Sequence, residues 1–429
     1  MTFLLLLAAA TALSNGVIGA ELRITSVDEF IQFKNNVNRG ANYSGMTVFL
    51  DSDMDFTGKT LDPIGTSSDY FRGTFDGQGH VIRNLEMTSS SEWYVGIFGY
   101  SKGLTIKNAI LDSSCSIAST FSNYNYANIG GIIGRCEAEN GPCTIENSVN
   151  MGSVTFSGKS GSELFLGGVA GYLHSSYYHD ITVKNCANYG DVTQVGESSR
   201  SYIGGIVGHS SSGSSTKRVY IHNCFNHGTI MNSGTTRNYL YIGGIVGYTS
   251  STTIENCVSG GKISSLSTAL WENNIGSVAG YASSDTSISY TYITSDLSDY
   301  KEDSGYGNPS KSNILKYDSA TFELNDTVSI GGYSGNSLID ALNAAADSYK
   351  DSDYSHWLLN KGNNAVIFTI NRKSTFKMNY PIILLPSLSS EGTMRFIGWY
   401  TDDDLTTPLT EFEVTSDTEL YGKYCKKAF

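Results

Sequence analysis

The segment Tyr202–Thr229 reads YIGGIVGH-SSSGSSTK-RVYIHNC-FNHGT, and the block YIGGIVGY returns at Tyr241–Tyr248, followed by TTIENCVSGGKI. Looser copies are VGIFGY (Val95–Tyr100), IGGIIGR (Ile129–Arg135), LGGVAGY (Leu166–Tyr172) and IGSVAGY (Ile275–Tyr281). Their last glycines, Gly99, Gly134, Gly171, Gly208, Gly247 and Gly280, recur every 33 to 39 residues. An asparagine keeps its place behind each block, at Asn108, Asn147, Asn185, Asn223 and Asn256. Repetition at one period means stacked units. Each unit holds three short β-branched runs separated by Gly, Asn or Ser, too short for helices and patterned as strands. A single unit cannot bury its apolar face, whereas a stack makes that face continuous. The expected fold is all-β: a parallel β-helix, one coil per copy, rising about 4.8 Å per coil. The glycines suit tight corners, and the asparagines should ladder their side-chain amides from coil to coil.

GGIVGY followed by TIENC resembles the GLUG repeat of secreted and cell-surface proteins, over roughly Gly96 to Ile293. That resemblance implies adhesion or surface display and ties no single chemistry to the motif. The entry coils should occupy residues 21–95 and the repeats residues 96–295. Ser26-Val27-Asp28-Glu29 has the form of a capping box, and Phe30, Phe33 and Val37 follow at helical spacing. A helix here, ending near Gly40, would cover the open first coil. The block G-T-F-D-G-x-G-H at Gly73–His80 resembles the entry coil of such proteins.

Residues 1–20 hold an apolar run, Phe3–Ala12, and end in Val-Ile-Gly-Ala; this reads as a signal peptide cut after Ala20, hence a secreted or surface location. No other segment is apolar enough for a membrane span. The formal charge of −13, with charged residues at 16%, leaves no basic stripe for nucleic acid. Asn42-Tyr-Ser and Asn325-Asp-Thr match the glycosylation acceptor pattern.

Seven cysteines are present. Cys136 and Cys143 flank the turn-rich EAENGP and form the expected disulfide. Cys186, Cys224 and Cys257 repeat in register, where parallel side chains are poorly placed to bond; they read as buried small hydrophobes.

Two constellations offer chemistry. Asp51, Asp53, Asp55 and Asp76 are the candidates to seat Ca²⁺ or supply the carboxylate pair of a polysaccharide-acting enzyme, against a plain reading as solvated strand ends and an Asp-Gly turn. His222, Cys224 and His227 have a zinc-like spacing, but the other copies carry Glu, Lys or Tyr there. No HExxH or P-loop occurs, and no catalytic residue, metal ligand or cofactor is assigned.

Residues 296–375 should comprise a connecting loop to about Ser312 and a carboxyl cap, with a helix at Leu338–Tyr349 begun by Ser337. In residues 376–429, FIGWYTDDDLTTPLTEF and DTELYGKY resemble the internalin-type B-repeat, a β-grasp-like module, with Phe396, Gly398, Trp399, Tyr400, Leu420, Tyr421 and Tyr424 at its aromatic core positions. Tyrosine is abundant, with 28 residues. Tyr124, Tyr126, Tyr177, Tyr178 and Tyr239 are the candidate ligand contacts, because rigid aromatic faces among Ser and Asn suit glycans and protein surfaces. Other tyrosines should stack between coils. The functional expectation is a non-catalytic, adhesin-like binder of host or matrix glycans or proteins; the alternatives are a β-helix glycan-acting enzyme and a structural stalk.

Overall fold

A computed structural model describes residues 20–348 apart from 124, 268 and 295–303, and beyond them six strands between residues 357 and 426. The expected signal peptide therefore lies outside the described residues.

From Glu21 to Tyr317 the chain winds as a stack of coils with four walls. One coil shows the plan. Wall one is Glu197–Gly204, wall two Val207–Ser212, wall three Val219–His222 plus Phe225–Asn226, and wall four Ile230–Asn232. Each pairs in parallel with the next copy: Ile203 with Ile242, Val207 with Val246, Ile221 with Ile254 and Ile230 with Ile263. Period-two alternation sends these residues into one continuous interior cluster. The sequence repeat is thus one coil, as the spacing predicts.

Wall three bends at the repeated asparagine. Asn108, Asn147, Asn185, Asn223 and Asn256 all lie in the left-handed region, with φ between 51° and 55°, a conformation Asn tolerates better than most residues. From Asn147 onward their amides form the expected ladder: Asn185 donates to Asn147 at 2.9 Å, Asn223 to Asn185 at 2.7 Å and Asn256 to Asn223 at 2.8 Å. A second ladder runs inside the corner between walls one and two, where Asn150 donates to Asn188 and Asn188 to Asn226, both at 2.9 Å. It explains the paired glycines. A Cβ on Gly205 would sit 2.2 Å from the Asn226 side chain, and one on Gly168 2.2 Å from Asn188.

At the amino end, α1 (Val27–Val37) is capped by Ser26, whose Oγ accepts the Glu29 N–H at 3.3 Å. The Glu29 carboxylate reaches Thr25 (2.8 Å to its N–H) rather than the Ser26 backbone. Phe30 and Phe33 meet Phe56, Phe75, Tyr43 and Phe71 edge-on and seal the first coils.

Two expectations for residues 296–375 change. Where a connecting loop was expected, Ser304–Gly307 and Ser310–Tyr317 add parallel strands to walls two and three. The presumed cap is a flank clasp. A hairpin, Glu323–Ile330 with Tyr333–Ser337, leads into α2 (Leu338–Ser348), which Ser337 Oγ begins by accepting the Asp340 N–H. Leu338, Ala341, Leu342 and Trp357 pack on outward residues of wall three, among them Ala187, Phe225, Val258 and Tyr292. Trp357 Nε1 donates to Asn223 at 2.6 Å, and Asn256 donates to the Leu342 carbonyl at 3.2 Å. The clasp thus closes onto the amide ladder from outside.

Beyond it, Val366–Ile370, Ser374–Met378, Met394–Tyr400 and Thr418–Lys426 form one four-stranded sheet. Its first and last strands pair in parallel, so Val366–Ile370 joins this sheet instead of the cap expected to contain it. The aromatic core positions of the B-repeat resemblance lie outside the residues whose side chains are described.

Candidate functional site

The four aspartates do not converge on a site. Asp51 accepts Arg23 at 3.0 Å and Gln78 at 2.7 Å; Asp53 accepts the Val81 N–H at 3.0 Å and Arg83 at 2.7 Å. Asp55 accepts Asn84 and the Thr57 N–H, both at 2.9 Å, and these bonds hold its carboxyl down at about 2. Asp76 is buried, takes the Asn108 amide at 2.8 Å and pairs with Lys107 at 3.2 Å. Only Met54–Asp55 of that segment is strand, so the alternation that would align Asp51, Asp53 and Asp55 is absent.

The zinc-like spacing separates as well. Cys224 lies in the interior cluster, whereas His227 packs against Tyr189 and Phe225 on the flank. Burial pushes His222 down to about 4, with Lys184 adding to it. Among the described residues no His, Cys, Asp and Glu group is arranged to hold a metal. Cys136–Cys143 is disulfide-bonded, and Cys115, Cys186, Cys224 and Cys257 are free and buried, the last three as the register argument expects.

The candidate tyrosines divide. Tyr177 and Tyr178 are 71% and 75% exposed in the turn after wall two (Ala170–Ser175), and the Ser176 hydroxyl fixes that turn by accepting the Tyr178 N–H at 3.2 Å and donating to the Ala138 carbonyl. Tyr126 is exposed and lies 6.3 Å from Phe165 in parallel. Tyr239 is in a strand, Thr235–Gly243, rather than a loop, and is half-buried. Tyr124 lies outside the described residues. Asn42 and Asn325 are both exposed.

What sequence reasoning left unassigned is the outer corner between walls one and two. The residue after each final glycine forms a column on wall two, Tyr100, Arg135, Tyr172, His209, Tyr248, Tyr281 and Tyr306 in register. Phe165, Tyr202 and Tyr241 form the facing column on wall one. Tyr202 and Tyr241 stack at 5.5 Å and 4°, Tyr248 and Tyr281 at 4.3 Å and 9°. Hydroxyls at the rim are held by acids: Tyr100 to Glu137 at 2.9 Å, Tyr202 to Glu163 at 3.1 Å and Tyr241 to Glu272 at 2.8 Å. Burial pushes the Tyr202 and Tyr241 hydroxyls well above the usual phenol range and Tyr248 up to about 12. Arg135 lies 4.4 Å over the Tyr172 ring.

His209 is the exception in this column. It sits 4.8 Å from both Tyr172 and Tyr248, edge-on to the latter, and neither ring nitrogen has a hydrogen-bond partner among the described residues. Burial pushes it down to about 3, with His174 and Arg135 adding to the effect, so it is a neutral ring in an aromatic stack. The signal was present in the sequence as the last letter of each block, Y, R, Y, H, Y, Y.

The chain matches the family model described as the GLUG motif over residues 238–264. Among solved structures it is similar to that of a candidate immunoglobulin A1 protease from Bacteroides ovatus, at 17% identity and a TM-score of 0.46, covering 75% of this chain and 86% of that one. No curated protein matches it.

Proposed function

We propose that this chain is a secreted or surface-displayed binding protein without catalytic activity, adhesin-like in that it holds host or matrix glycans or proteins on exposed aromatic side chains. The observation that carries the reading is the pair Tyr177–Tyr178. Both rings stand in solvent on a turn whose backbone is tied to the preceding coil. A large ring placed in advance contributes contact area with little loss of conformational freedom on binding. The acids that a glycan-cleaving enzyme would use are instead spent on Arg23, Arg83, Asn84 and Asn108. The disulfide suits an oxidising compartment. Tyr126 and Tyr239 are secondary contacts at the edge of the aromatic corner.

The test is a glycan and matrix-protein screen on the chain from Glu21 onward, run beside a depolymerisation assay with added Ca²⁺. The expected result is binding without turnover, weakened about tenfold when Tyr177 and Tyr178 are both changed to Ala. Asp53→Asn should leave binding intact. Depolymerisation by the wild type that Asp53→Asn or Asp76→Asn abolishes would replace this reading with the enzyme. Undiminished binding by the double Tyr variant would refute the site and leave the class standing.

A further inference from the structure

Between walls four and one, the coil that begins at Ile263 carries Leu266, Leu270 and Trp271 where the preceding copy has Ser233, Arg237 and Asn238. Leu266 is 83% exposed, Leu270 80% and Trp271 65%, and Met231 on the preceding coil is exposed beside them. Exposed apolar side chains gathered on one loop mark a contact surface rather than scattered surface residues.

Part of this loop's backbone is tied to the preceding coil. Leu266 N–H donates to the Asn232 carbonyl and Leu270 N–H to the Arg237 carbonyl, both at 2.8 Å; Trp271 N–H donates to Asn238 at 3.0 Å. Asn273 closes the loop from both sides, accepting the Ala269 N–H at 2.6 Å and donating to the Ala269 carbonyl at 2.9 Å. The Ser267 hydroxyl accepts the Thr236 N–H at 3.0 Å, and the Ser265 hydroxyl donates to the Ser267 carbonyl at 3.1 Å. Polar groups turned inward leave little to hydrogen-bond a sugar. They also lower the main obstacle to entering an apolar medium, which is the cost of unpaired N–H and C=O groups.

The rim supplies the other half. Lys262, on the same outward face as Leu266, is exposed and engages no acid among the described residues. Lys159 and Arg237 share the single carboxylate of Glu197. Glu272, which follows Trp271, is engaged by the Tyr241 hydroxyl at 2.8 Å and the Asn274 amide at 3.0 Å. Tyr239 stands at the base of the loop, edge-on to Trp271 at 5.1 Å. Apolar tip, aromatic base and basic rim occur in the order that the depth profile of a phospholipid monolayer requires: acyl chains, interface, phosphate.

We propose that the loop 266–271 is a lipid-surface contact, with Leu266, Leu270 and Trp271 entering the acyl region and Lys262 and Arg237 meeting headgroup phosphates. A bilayer accepts a convex apolar knob without shape matching, whereas a protein partner or a second copy would need a complementary pocket. This is independent of the glycan and protein binding proposed above.

The experiment mixes the full chain with phosphatidylcholine vesicles, with and without phosphatidylglycerol, and reads co-sedimentation and tryptophan emission. Wild type should partition into both, with emission shifted to the blue and quenched by brominated acyl chains. Trp271→Phe should still partition and lose that quenching. Leu266→Ser with Leu270→Ser should lower the partition coefficient roughly tenfold or more while leaving the circular dichroism spectrum unchanged. Wild type remaining in the supernatant would overturn the proposal, as would quenching that persists in Trp271→Phe. Self-association in the absence of lipid that the double Leu variant abolishes would overturn it in favour of a contact between copies.

Discussion

The inner asparagine ladder and the outer aromatic column are built the same way, one residue per coil in parallel register, yet they obey different rules. Inside wall three, Asn147, Asn185, Asn223 and Asn256 keep one residue type, because each must adopt a positive φ and pass an amide to its neighbour where water is absent. On the outer corner the column admits Arg135 and His209 between tyrosines, because a partly exposed flat group tolerates exchange for another. The interior repeats for folding. The exterior varies, and binding surfaces are built from such variation.

The comparison breaks most readily at Asn185. Asn185→Leu removes both rungs, leaves the amides of Asn147 and Asn223 without it and places a branched side chain at φ 53°. A loss of about 3 kcal/mol or more is expected in denaturant titration. A loss below about 1 kcal/mol would mean that the ladder is incidental. Next in size, Cys136→Ser with Cys143→Ser reopens the short loop between walls two and three. The expected cost is about 2.5 kcal/mol on the chain-entropy model.

The pH prediction concerns the outer column. His209 is held down from 6.5 to about 3, so the unfolded chain takes up a proton that the folded chain refuses. Its contribution is therefore intact above about 6.5 and is lost as pH falls toward about 3, by up to about 1.4 kcal/mol per pH unit. His222, down at about 4, has the same sign. His209→Tyr, which restores the column's common residue, should flatten the acid limb of melting temperature against pH. An unchanged slope would show that this ring does not carry it. The smallest effect belongs to Tyr248→Ala, at about 1 kcal/mol, because the aromatic contacts it loses are worth that order and its ring is partly solvated. A cost matching that of Asn185→Leu would erase the distinction between the two columns.

Periodicity made the coils, the asparagine ladder and the disulfide legible, since each rests on a residue that keeps its place or on a turn of definite length. The second ladder escaped because it holds for only three coils, Asn150, Asn188 and Asn226, and gives way to Ser259. The flank clasp escaped for another reason. Val149, Ala187, Phe225 and Val258 belong to two-residue strands with both residues buried, where no alternation distinguishes an inward face from a covered outer one. Aspartates at 51, 53 and 55 suggested a site on the premise of an extended strand, and the bend at Ser52 removes that premise. Leu266, Leu270 and Trp271 stand in one copy alone, so a reading organised by repeats passed over them.

Thiol mapping tests the stacking on which both columns depend. Cys186, Cys224 and Cys257 follow the ladder asparagines on successive coils, each buried and each donating its S–H to a backbone carbonyl. Alkylation of the native chain followed by mass spectrometry should find Cys136 bonded to Cys143, with Cys115, Cys186, Cys224 and Cys257 modified only after unfolding. A Cys186–Cys224 bond, or rapid native labelling of Cys224, would contradict the stacked coil.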